Sequence, residues 1–305
     1  MARRHALVFP GQGSQRTGML DRLPGLESLD RLLDAAEGLS GLDLTAIAAD
    51  GPDDALRDTR AAQPLLYLAD WAWGTTLLAA GLEPVAVAGH SLGEYAALAL
   101  AGVFSAEAGL ELVIERSRLM AQAATETPGG MAAVLGLDGS LVAESVARIS
   151  GVWVANDNAP GQVVISGTHA GIEAAIVALD QAGARRVVPL DVAGAFHSPL
   201  MADAAERFAR TLDAADFAPA VIPVVSNSDP VPTTDPAALK ERLSAQMVSP
   251  VRWTETMAVL AEHGVEALIE AGPGSVLRGL ARRVDGLDAY SVEDSGLELV
   301  VEVVL

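Results

Sequence analysis

The segment from Val85 to Ala99 constrains the fold more than any other. An apolar run, Val85-Ala86-Val87-Ala88, meets a helix-forming run, Glu94-Tyr95-Ala96-Ala97-Leu98-Ala99, across Gly89-His90-Ser91-Leu92-Gly93. The two glycines permit a tight strand-to-helix turn. The pentapeptide fits the G-x-S-x-G pattern, in which a serine hydroxyl is projected beyond the end of a strand. The helix that follows would aim its first backbone N–H groups at an oxyanion formed beside Ser91. An ordinary glycine-rich turn would share the pattern, but the flanking strand and helix favour a nucleophile.

Short β-rich runs alternate with helical runs over much of the chain, which predicts an α/β fold with a mostly parallel sheet. Strands are expected at Ala6–Phe9, Val85–Ala88, Ile222–Val225 and Val265–Ile269. Helices are expected at Pro64–Ala79, Leu92–Ala101 and Ser105–Ala124, with Pro64 in a first turn and Ser105 as an N-cap. Between Gly130 and Leu190 the order changes. It reads strand (Met131–Leu137), helix (Leu141–Ile149), strand (Val152–Ala155), strand (Val163–Ser166), helix (Ala170–Gln181), strand (Arg185–Leu190). That βαββαβ order is ferredoxin-like. It predicts a small subdomain, 128–193, inserted into a large α/β domain formed by 1–127 and 194–305. The alternative is that these strands extend the main sheet.

The chain has 305 residues, half of them hydrophobic, enough to bury a core without staples. Its apolar content and lack of low-complexity tracts argue against disorder. No apolar run reaches ~18 residues, so no spanning helix is expected. The apolar stretch after Arg3-Arg4-His5 is too short for a signal peptide, and a cytoplasmic protein is expected. There is no cysteine, which excludes disulfides and thiolate metal sites. The net charge of −20 repels nucleic acid and anionic membranes, so neither is expected as a partner. No H-E-x-x-H, His/Asp cluster or Walker loop is present, and no metal or bound cofactor is expected.

A serine nucleophile needs a base. Of the five histidines, His90 lies in the turn itself, with its side chain expected to face away from Ser91. His5 opens a strand, and His169 and His263 are expected at exposed helix ends. His197, in the irregular stretch Val192-Ala193-Gly194-Ala195-Phe196-His197-Ser198-Pro199, is the remaining candidate. Residues 198–305 follow it, unlike hydrolases whose histidine lies near the C-terminus. No acid stands out as a third member, although Asp191 and Asp203 are near in sequence; a backbone carbonyl could orient the imidazole instead. The loop Phe9-Pro10-Gly11-Gln12-Gly13-Ser14-Gln15 is not a dinucleotide fingerprint, because Arg16 occupies the third glycine position. It suits an oxyanion donor at Gln12, or simply a tight turn. Gly272-Pro273-Gly274-Ser275 could form an anion nest, but a structural turn is the favoured reading.

These segments together resemble the malonyl-CoA:acyl carrier protein transacylases, the acyltransferase family of fatty acid and polyketide synthesis. The resemblance runs in order through Phe9–Gln15, Ala62-Gln63-Pro64, Gly89-His-Ser-Leu-Gly-Glu-Tyr95, Val113-Ile-Glu-Arg116 with Met120, and Gly130-Met131-Ala132. It continues through Asn156 and Gly161–Gly167, Gly194-Ala-Phe-His-Ser-Pro199, Gln246 with Pro250-Val-Arg-Trp253, and Glu270-Ala-Gly-Pro-Gly274. It implies a hydrolase-like parallel-sheet domain with an inserted ferredoxin-like subdomain. It further implies Ser91 as the acylated nucleophile and His197 as base and then acid. The N–H groups of Gln12 and Leu92 would form the oxyanion hole, and the Gln246 carbonyl would orient His197. Arg116 would clamp the malonyl carboxylate, since a guanidinium fork matches it bidentately. Leu92 and Phe196 resemble the malonyl-selecting pattern, with bulky Phe196 leaving little room for a C2 substituent.

One departure is Ser117, where family members often have glycine after the arginine; its Cβ could crowd a neighbouring segment. The implied partners are malonyl-CoA and a phosphopantetheinylated acyl carrier protein. An arginine patch drawn from Arg185, Arg186, Arg278, Arg282 and Arg283 is expected to receive the carrier. Two rivals share parts of this reading: a serine hydrolase acting on acyl carrier proteins, which has little use for Arg116, and a non-catalytic docking subunit. A transferase for another extender, such as methylmalonyl, is a variant of the main reading.

Overall fold

The structure, a computed structural model, describes residues 3–305. Its ten strands are β1 (His5–Phe9), β2 (Ala86–Gly89), β3 (Gly130–Leu135), β4 (Val152–Ala159), β5 (Gln162–Gly167), β6 (Arg186–Pro189), β7 (Val224–Val225), β8 (Val251–Arg252), β9 (Ala267–Glu270) and β10 (Asp288–Ser291). They form two five-stranded sheets.

The first sheet runs β10-β9-β1-β2-β7 and is parallel throughout. Its central strands are buried on both faces, as parallel strands covered by helices must be. Alternate side chains divide between two cores. Leu7, Phe9, Val87 and Ile269 join the larger one, while Ala6, Val8, Ala88 and Leu268 join the core on the opposite face.

The second sheet runs β6-β3-β5-β4-β8. Strands β3 to β6 are antiparallel in the ferredoxin-like order, and two helices, Gly139–Val146 and His169–Gln181, cover one face. Ala132, Val134, Val142, Ile165, Ala175 and Leu179 make a separate small core there. These strands therefore do not extend the main sheet. The opposite face, carrying Met131, Ala155 and Val164, packs toward the main core. Strand β8 comes from outside 128–193 and joins β4 in parallel.

The expected elements are present with shifted ends. The helix expected from Pro64 starts at Thr59, capped by the Asp58 carboxylate, which accepts from the Arg60 N–H (2.9 Å). Pro64 thus sits inside the helix rather than in its first turn. Ser105 caps Ala106–Glu126 through the Ala108 N–H (3.1 Å). Strands β8 and β10 have no sequence counterpart above. One is two residues long, and the other, Asp288-Ala-Tyr-Ser291, lies at the edge of its sheet and lacks an apolar run.

Candidate active site

Strand β2 ends in the glycine-flanked turn, and the helix Gly93–Leu100 starts beyond it. Both glycines are required by close approach. A Cβ on Gly89 would lie 1.9 Å from the Gly93 carbonyl carbon, and one on Gly93 would lie 2.1 Å from the Phe9 carbonyl oxygen. Strand end, helix start and the end of β1 therefore meet backbone to backbone. Ser91 is left at φ 52°, and His197 at φ 55°; among the described residues no other non-glycine has positive φ. Such conformations cluster at functional sites because surrounding contacts must hold them. Asn227 supplies two such contacts: the Ser91 N–H donates to its Oδ1 (2.6 Å), and its Nδ2 donates to the Gly89 carbonyl (2.5 Å).

Ser91 Oγ lies 2.7 Å from His197 Nε2. On the far side of the ring, Nδ1 faces the carbonyl oxygens of Gln246 (3.0 Å) and Ser249 (3.1 Å). Carbonyls only accept, so Nδ1 carries the proton and Nε2 presents its lone pair to the serine. Burial, reinforced by the Arg116 charge, pushes His197 down to about 3, which keeps the imidazole neutral. Neither Asp191 nor Asp203 orients the ring: Asp191 pairs with Arg57 (3.3 Å) and Asp203 is exposed. His90 points away from the serine, with Nε2 2.8 Å from Asn158 Oδ1 on β4. His169 and His263 are exposed, and His5 is buried in β1.

Arg116 reaches this centre from the middle of Ala106–Glu126. It is 1% exposed. Its Nη2 donates to Ser91 Oγ (3.0 Å) and Gln246 Oε1 (3.1 Å), and its Nη1 donates to Gln63 Oε1 (2.7 Å). The guanidinium also lies 5.4 Å from the centre of the Tyr95 ring. All its acceptors are neutral, and its Nε has no partner. Ser117 is accommodated: its side chain is buried and its hydroxyl donates to the Ile114 carbonyl one turn back (2.8 Å).

A cavity of about 640 Å³ opens onto these groups, between the carboxyl ends of the parallel strands and the helix-free face of the second sheet. Gln12, Ser91, Leu92, Arg116, Phe196 and His197 all line it. The Gln12 and Leu92 N–H groups donate to no acceptor among the described residues, which leaves both free for a ligand. The Gln12 side chain is held by Thr59 Oγ1 (3.4 Å).

Gln63, Glu94, Asn158, Asn227 and Ser249 bear on the site without having been singled out as site residues. Gln63 and Glu94 lie in motifs of the family resemblance, but nothing in sequence announces contacts with residues 53 or 152 positions away. Among the described residues no group of three His, Asp or Glu is placed to hold a metal, and no helix is long and apolar enough to cross a membrane.

Comparison with known proteins identifies the family. Residues 6–294 match the acyl transferase domain family. The malonyl CoA-acyl carrier protein transacylase of Synechocystis is 45% identical over 278 residues, covering 91% of this chain and 92% of that protein. The protein of the same name from Bacillus subtilis is 39% identical over 304 residues, covering 97% and 96%. Among solved structures, a malonyl-transacylase in complex with a type II PKS acyl-carrier protein has a TM-score of 0.92 at 38% identity, covering 98% of this chain and 99% of that one.

Proposed function

The chain belongs to the acyl transferase domain family, and from that premise we propose that it carries malonyl groups from malonyl-CoA to the phosphopantetheine thiol of an acyl carrier protein, through a malonyl ester on Ser91. One observation carries the choice of acyl group: a buried guanidinium, hydrogen-bonded only to neutral acceptors, stands 3.0 Å from the nucleophile. An unpaired buried charge is costly. A dicarboxylic acyl group ends in the anion that would relieve it, with the planar fork suited to a carboxylate. A hydrolase of uncharged acyl chains would gain nothing from that cation.

The reaction follows from the same geometry. Neutral His197 takes the Ser91 proton at Nε2 as Oγ attacks the thioester carbon. The N–H groups of Gln12 and Leu92 stabilise the tetrahedral oxyanion, aided by the N-terminal end of the helix Gly93–Leu100. Collapse breaks the C–S bond, and His197 returns the proton to the departing CoA sulfur. The carrier thiol then gives its proton to His197 and attacks the ester, and Ser91 recovers its proton as it leaves. The carbonyls of Gln246 and Ser249 accept from Nδ1 throughout and stabilise the imidazolium when it forms. Arg116 holds the malonyl carboxylate away from the reacting carbon, and Phe196 limits the room beside C2.

For the carrier, Arg185, Arg186, Arg282 and Arg283 are exposed, whereas Arg278 is tied to Asp294 (2.8 Å). The first four are the better receivers for an acidic partner. A cytoplasmic location belongs to the same proposal, because the donor it names is a CoA thioester.

The direct test is intact mass. Mixing the protein with malonyl-CoA should add one malonyl group, absent in Ser91→Ala, and holo carrier protein should then remove it. No adduct, or an adduct that only water removes, would overturn the proposal.

A further inference from the structure

Glu94 is the first residue after the G-x-S-x-G turn, and its carboxylate is buried, 1% exposed, directly beneath the site. Its Oε2 accepts from Gln246 Nε2 (2.7 Å) and from the Asn227 N–H (3.2 Å). The mechanism above makes no use of it. Yet both its partners hold the catalytic centre. Asn227 grips the turn at Gly89 and Ser91, and Gln246 touches Ser91, His197 and Arg116. The Gln246 carbonyl accepts from His197 Nδ1, its Nε2 also donates to the Ser91 carbonyl (3.0 Å), and its Oε1 accepts from Arg116.

The side-chain amide of Gln246 has one acceptor end and one donor end, and the two cannot be exchanged here. A guanidinium only donates, so it needs Oε1; the Glu94 oxygen facing Gln246 accepts, so it needs Nε2. Without Glu94 the amide loses its shorter contact and keeps only the Ser91 carbonyl (3.0 Å) to hold Nε2, so it grips Arg116 less firmly, and any turn would bring its NH₂ against the guanidinium, where it would repel. We infer that Glu94 is the positioning residue for acyl selectivity: acting through the Gln246 amide, it fixes the direction of Arg116 toward the substrate carboxylate. The one-residue spacer matters as much as the link. A carboxylate in direct contact would neutralise the guanidinium and compete with the acyl group. Glu94 instead orients the cation through a neutral amide and leaves its charge available. The partnerless Nε of Arg116 fits a group held by its outer nitrogens alone. Burial pushes the Glu94 carboxyl above its ordinary value, but the geometry holds in either protonation state, because a carboxylic acid still accepts at one oxygen.

This inference rests on the malonyl-transfer reading, and the experiment separates the two. Ser91 loading is timed with malonyl-CoA and with acetyl-CoA, which lacks the carboxylate, in the wild type and in Glu94→Ala, Glu94→Asp and Glu94→Gln. Thermal unfolding checks the fold of each. In Glu94→Ala, malonyl kcat/KM should fall by about tenfold or more relative to acetyl, mostly through KM, the scale expected when a binding group is misplaced. Glu94→Asp, which keeps the charge but withdraws it from Gln246, should lose selectivity in the same direction and serves if the alanine variant does not fold. Glu94→Gln can still offer an oxygen to Gln246 and should recover the selectivity. Equal losses for both donors, or an unchanged ratio in Glu94→Ala or Glu94→Asp, would overturn the inference. A wild type that takes up no malonyl would instead overturn the reading beneath it.

Discussion

Replacing Arg116 by alanine removes two things of different size. The first is its hydrogen bond to Ser91 Oγ, at 3.0 Å, which serves any acyl group. A charged hydrogen bond of this kind contributes about 1.5–3 kcal/mol, and its loss should slow malonyl and acetyl loading alike. The second is the cation proposed to pair with the malonyl carboxylate. In a site where the guanidinium is 1% exposed, that carboxylate would be desolvated with no cation beside it. Breaking a buried charge pair by deleting one member costs about 3–5 kcal/mol, or roughly 150- to 5000-fold in kcat/KM. Only the second effect is specific to malonyl. The malonyl-to-acetyl ratio of kcat/KM for Ser91 loading, followed by intact mass, should therefore fall by about two orders of magnitude or more. Arg116→Lys should fall in between, because it keeps the charge and loses the fork. A ratio that stays at the wild-type value while both rates drop would refute the carboxylate clamp and reduce Arg116 to a support for Ser91.

Three further outcomes are expected. Malonyl loading should stay nearly flat from pH 8 down to pH 5, because His197 is held at about 3; an ordinary imidazole would cost about 30-fold at pH 5, and a midpoint near 6.5 in kcat/KM would contradict the neutral buried base. Asp70 is fully buried with no partner for either oxygen, and burial together with nearby Glu270 pushes its carboxyl well up. The folded state then holds that proton more tightly than the unfolded chain, so this group's contribution to stability is fully present at low pH and is lost as pH rises; Asp70→Asn should raise the melting temperature at pH 8 and change it little at pH 4, and equal shifts at both would refute the assignment. Reversing the charge at Arg185 and Arg186 should raise KM for carrier protein and leave loading from malonyl-CoA unchanged, with unaltered transfer kinetics counting against that docking site.

Legibility in the sequence follows the range of the interactions involved. The turn around Ser91 was readable because its glycines, strand and helix are contiguous, and the backbone contacts at Gly89 and Gly93 occur within that stretch and β1. His197 stands out only by exclusion among five histidines, and its partners are not legible as geometry, since they are carbonyls 49 and 52 residues away. Arg116 reads by itself as a surface arginine in an amphipathic helix; only the family resemblance marked it as a ligand. The βαββαβ order was legible because each of its helices lies between neighbouring strands of one unit. Strand β8 was not, because two residues of extended chain carry no pattern and their pairing with β4 is decided by tertiary packing. Pro64 misled for a similar reason. Its preference for a first turn is local, whereas the helix around it is buried over most of its length and gains enough from packing to continue through it.

Strand β8 links the two halves of the cleft. Val251 and Arg252 pair with Asn156 and Asp157, and Thr254 Oγ1 donates to the Asp157 carboxylate (2.7 Å). The same short stretch of chain, just upstream, holds the Gln246 and Ser249 carbonyls against the imidazole. The roof of the cleft and the anchor of the base are thus stitched to one ribbon, so a lid-like swing of the smaller lobe would drag the proton acceptor out of line with its serine.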